Sequence, residues 1–146
     1  MVTFPLTSFV ISSNSKLESV SNMETYTQAI IRLQGRCNYN EASKIAFRRA
    51  SMRFLKELRT LLMIEADIRF NPGGIAVSGE ATLHGDNIYV QVSADISHLG
   101  IMYRTCKGRK DYTGGPNCWM PFSRLSQNGI NGLVAEVKSL IERSKQ

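Results

Sequence analysis

Between Glu41 and Glu65 the chain repeats apolar residues at the period of an α-helix, and this pattern restricts the possible folds more than any other. At about 100° per residue, Phe47, Ala50, Phe54, Leu58 and Leu61 fall within one narrow arc. Lys44, Arg48, Arg49, Arg53, Lys56 and Arg59 occupy the opposite half. A helix so divided must lay its apolar side on another layer of structure. Leu55, Leu62 and Ile64 widen the apolar side toward the end, so the last turns are expected to be the more deeply buried. Asn38-x-x-Glu41 supplies a capping signal at its start.

A shorter helix precedes it. Ser21-x-x-Glu24 has the form of a capping box, and Met23, Tyr26, Ile30 and Leu33 follow at helical spacing. Gly35 is a natural stop.

The layer that receives these helices is predicted downstream. Strands are expected at Ile68–Phe70 and Ile75–His84, separated by the turn Asn71-Pro72-Gly73-Gly74, with Gly79 a bulge. Gly85-Asp86 leads into Ile88–Ser93, where apolar and polar residues alternate as in a half-buried strand of a hairpin. Ile101–Cys106 is the next strand, after the connection Ala94–Gly100. Lys107–Gln127 reads as mostly irregular, and a last helix is expected over Leu133–Arg143 with Asn131 as its cap.

Short connections imply antiparallel neighbours. The expected fold is therefore α+β: an antiparallel three- to four-stranded β-meander with the helices packed on one face, in the order α-α-β-β-β-(β)-α. From the second helix onward this order resembles that of double-stranded-RNA-binding domains, in element order alone. Their basic signature at the start of the last helix is absent. Residues 1–22 are expected to form an N-terminal arm and a Ser/Asn-rich linker, and residues 23–146 a single α+β domain. The mildly apolar N-terminus lacks the basic lead and the cleavage site of a signal peptide, which predicts a cytoplasmic protein. No apolar run approaches the roughly 18 residues of a membrane span. Cys37, Cys106 and Cys118 are odd in number and are expected to be reduced and to pack as small apolar residues.

The formal net charge of +6 favours a polyanionic partner. The densest cationic segment is Arg104–Asn117. Arg104, Lys107, Arg109 and Lys110 are candidates for neutralising phosphates. Gly108, Gly114 and Gly115 would let backbone N–H groups cradle an anion. Tyr112 and Trp119 could stack on bases, and Asn117 could hydrogen-bond one. Arg49, Arg53 and Lys56 on the basic helix are the second candidates, tracking a phosphate backbone. The loop is neither a P-loop nor a dinucleotide fingerprint.

Catalytic groupings are sparse. His84 and His98, with Lys107 or Tyr112, could serve as acid and base in phosphodiester chemistry. His84, His98, Cys106 and Cys118 have no short recurring ligand spacing, so neither a metal nor another cofactor is expected. Lys107 beside Cys106 could lower that thiol's pKa. Met120-Pro121-Phe122 could form an exposed protein-contact ridge.

The expected function is that of a small basic binding protein. It would contact nucleic acid or a nucleoprotein assembly through the cationic Gly-rich loop, as an accessory subunit or an inhibitor. The alternatives are a protein-interaction module for an acidic partner, and a nucleotide- or phosphodiester-acting enzyme using His84, His98 or Tyr112.

Overall fold

A computed structural model describes residues 24–34, 41–72, 79–94 and 100–145. The expectations for the N-terminal arm, Gly35, Cys37, Asn38, Gly73–Gly74, the stretch 75–78 and His98 lie outside these residues.

The first helix, α1 (Tyr26–Leu33), starts later than the Ser21 signal implies. Its cap is Thr25, whose hydroxyl accepts from the Gln28 N–H while the Gln28 side chain accepts from the Thr25 N–H. Glu24 pairs with Arg32 instead. The long amphipathic helix α2 (Glu41–Leu62) buries Phe47, Ala50, Phe54, Leu55, Leu58 and Leu62 as its periodicity demands. It ends at Met63, a left-handed residue at φ 55°, two residues short of Glu65, and Leu61 is turned outward.

The sheet has five strands: β1 (Ala66–Asn71), β2 (Glu80–Gly85), β3 (Ile88–Ser93), β4 (Gly100–Thr105) and β5 (Cys118–Pro121). They run antiparallel in the sequential order β1-β2-β3-β4-β5, an open meander. The fifth strand lies in the segment expected to be irregular, and it departs from the three-stranded order noted above. One residue row, Ile68, Leu83, Val90, Tyr103 and Cys118, crosses the inner face; Phe70, Ala81 and Val92 form a second. These side chains pack with the apolar faces of all three helices into one core.

The last helix, α3 (Phe122–Ser144), starts eleven residues before Leu133. Gly129, at φ 63° and ψ −158°, breaks it into two segments, and Asn131, the expected cap, lies two residues past that break. Met120 is fully buried in the core and Phe122 is half-buried, so the Met120–Phe122 segment is not an exposed ridge. Helix α2 lies on β1 and β2, α3 lies on β4 and β5, and α1 bridges the two helices. The opposite face of the sheet is thus left to the loop that follows β4.

Candidate nucleic-acid interface on the outer face of the sheet

On the outer face, antiparallel register aligns Asp67, His84, Tyr89 and Arg104 across four strands. Beside that row run Arg69, Thr82, Gln91, Met102 and Trp119. The face is therefore largely polar where the inner face is apolar, as the alternation along β3 requires.

The loop from Lys107 to Asn117 folds back over this row. The Tyr112 ring lies 4.6 Å from that of His84 and 5.6 Å from that of Tyr89. His84 meets Tyr89 edge-on at 5.3 Å. Tyr89, Met102 and Cys106 are buried beneath as a small second cluster. Burial first, then the Glu80 carboxylate, pushes the Tyr89 hydroxyl up to about 12. That hydroxyl donates to the Gln91 side-chain oxygen at 3.1 Å.

The loop is held by its own backbone. Lys107 N–H donates to the Thr113 carbonyl, and Asp111 N–H to the Gly108 carbonyl. Asp111 accepts from the Thr113 N–H and hydroxyl, which lowers its own pKa. Gly115 N–H donates to Thr105 Oγ1 at 3.0 Å. The N–H groups of Lys107, Asp111, Thr113 and Gly115 are thus bonded within the loop or to β4. A Cβ at Gly114 would sit 1.9 Å from the Thr105 carbonyl oxygen, so Gly114 allows close packing against β4. Gly115 serves the same approach, its added Cβ meeting Thr105 Oγ1 at 2.8 Å.

The four loop cations divide unequally. Arg109 reaches Asp86 at 3.1 Å, Glu65 at 3.4 Å and Asp67 at 3.8 Å, so its charge is spent within the molecule. Lys107 and Lys110 are exposed and make no ion pair among the described residues. Arg104 lies over the Tyr89 ring at 5.4 Å. Its Nε is buried without a hydrogen-bond partner, and no described carboxylate forms an ion pair with it. His84 is 5% exposed, and its Nε2 likewise has no hydrogen-bond partner among the described residues. Tyr112 is 57% and Trp119 37% exposed. Asn117 is exposed near the end of the loop.

Arg49, Arg53 and Lys56 do not join this group. They project from the side of α2 opposite Phe47, Phe54 and Leu58, which face the sheet. The helix covers the inner face and the loop the outer, so the two cationic surfaces point in opposite directions.

His84 touches the loop through Tyr112, and His98, the other histidine of the catalytic alternative, lies outside the described residues. Burial pushes the Cys106 thiol above its ordinary pKa, against activation by Lys107. Among the described residues no three His, Cys, Asp or Glu side chains gather as a metal site, and no helix is long and apolar enough to cross a membrane.

A cavity of about 620 Å³ lies between the start of α1 and the kink of α3. It is lined by Glu24 and Glu57 and by no cation, which does not suit a phosphate.

The sheet register, which no local motif announces, sets Trp119 beside Met102 on the face that Tyr112 covers. No family model, curated protein or solved structure matches the chain.

Proposed function

We propose that this chain binds single-stranded nucleic acid on the outer face of its sheet. The observation that carries the reading is the placement on one sheet face of two exposed aromatic rings, Tyr112 and Trp119, with the Arg104 guanidinium, which forms no ion pair among the described residues. Unstacked bases rest on aromatic faces whatever their identity, and nearby cations meet the backbone phosphates. Tyr112 and Trp119 stack the bases. Arg104, Lys107 and Lys110 take the phosphates. Arg109, Gly114 and Gly115 build the loop and make no direct contact. The strand comes to lie across β4, between the loop and β5. A duplex is disfavoured because stacking on side chains needs bases that are not already paired.

Trp119 is the single tryptophan and serves as the reporter. A short oligothymidylate should quench its fluorescence. With three phosphate contacts, log affinity should fall against log salt with a slope of about −2. Lys107→Glu with Lys110→Glu should weaken binding by about tenfold or more and flatten that slope. Unchanged affinity and slope in the double variant would remove the loop from the site. Unchanged Trp119 fluorescence on saturation would remove the stacking.

A further inference from the structure

The outward side of α2 carries a feature that the nucleic-acid reading does not use. Ile45, 50% exposed, and Met52, half-buried with part of its side chain against the edge of the core, form a short aliphatic strip along the flank of the helix. At about 100° per residue the two lie within about 20° of each other. Arg48 flanks them about 60° to one side of Ile45; Arg49 and Arg53 follow about 40° and 80° to the other. Lys56 extends the strip to about 16 Å.

These six residues line a shallow hollow of about 260 Å³. None of the four cations forms an ion pair among the described residues. Arg48 is positioned by the Phe70 ring, 5.1 Å from its guanidinium carbon, so one wall of the hollow is already ordered.

We infer that this face docks an acidic amphipathic helix of a protein partner. Leucine-like side chains of that helix sit on Ile45 and Met52, and its carboxylates face Arg48, Arg49, Arg53 and Lys56. Charge complementarity sets the sign of the partner, and the aliphatic floor sets its kind. Nucleic acid has phosphates for the rim but no branched apolar group for the floor. The aromatic side chains of α2 that could stack a base, Phe47 and Phe54, are fully buried. A short apolar strip with a charged border is the arrangement by which one helix receives another. This inference does not depend on the outer sheet face.

The test uses the full chain and two synthetic helical peptides of equal negative charge, one with leucines at i, i+4 and i+7 and one with alanines there. The leucine peptide should bind, and the alanine peptide about fivefold or more weakly. Arg49→Glu with Arg53→Glu should weaken the leucine peptide by at least about tenfold. Both substitutions are at exposed positions, and a circular dichroism melt confirms that the fold is intact. Ile45→Ser should remove the advantage of leucine over alanine.

The same charge-reversal variant should bind oligothymidylate with nearly parental affinity if the sheet face holds the strand. If neither form binds oligothymidylate, the nucleic-acid reading fails and this one stands on the peptides. Equal binding of the two peptides would overturn the docking proposal, as would no binding of the leucine peptide. It would also be overturned if vesicles of phosphatidylglycerol, or the oligonucleotide, displaced the leucine peptide from parent protein while Arg49→Glu/Arg53→Glu abolished their own binding.

Discussion

Gly114 and Gly108 stand six residues apart in the same loop and answer to different constraints. An added methyl group at Gly114 meets the Thr105 carbonyl oxygen at 1.9 Å, whereas at Gly108 it meets nothing within 4 Å. Gly114→Ala should therefore cost about 3 kcal/mol, because the obstacle is backbone and cannot rotate away. A melt should show it as a fall of roughly 10 °C. Gly108→Ala should stay within about 0.5 kcal/mol of the parent. Tyr89 gives a second test at this scale. Its folded pKa of about 12 lies above the ordinary phenol value. Its contribution to stability is thus fully present below about pH 10. It is lost as pH rises through 12, because the unfolded chain releases the proton first. Thermal melts between pH 8 and 12 should fall more steeply for the parent than for Tyr89→Phe.

Gln34, at the end of α1, ties that helix to the sheet. Its buried side chain donates to the Gly100 and Ser93 carbonyls and accepts from the Gly100 N–H at 3.0 Å. Gln34→Ala leaves buried backbone groups unpaired and should cost about 2–3 kcal/mol, read by denaturant unfolding. Elements differ in how openly the chain announces them. Helix α2 and the β2–β3 hairpin follow from periodicity, because one face of each is buried against a single layer. Strand β5 does not, because four residues ending in Pro121 are too few to show an alternation. The first half of α3 buries only Leu125 fully, so it lacks a stripe to read. The loop is visible from composition, yet which of its cations are free is not. The Asp86 carboxylate that meets Arg109 comes from 23 residues away and the Glu65 carboxylate from 44, and only the fold brings them there.

At the scale of the molecule, the exposed cations of α2 and those of the loop after β4 lie on two surfaces rather than on one. A sheet covered by helices on one side presents its strands on the other, so the basic helix and the cationic loop look away from each other. If both proposals hold, two ligands can be held at once and the protein would bridge them. The sequential order β1-β2-β3-β4-β5 has a kinetic consequence as well. Each strand pairs with the one just made, so the sheet can grow by successive local hairpins with little loop-closure entropy at each step. The Gln34–Gly100 tie spans 66 residues and must wait until α1 is delivered to the finished sheet. A tie made after the folding barrier is crossed acts on escape rather than on arrival. Stopped-flow traces of Gln34→Ala should therefore show faster unfolding and nearly parental refolding, making α1 a latch that sets how long the native state lasts.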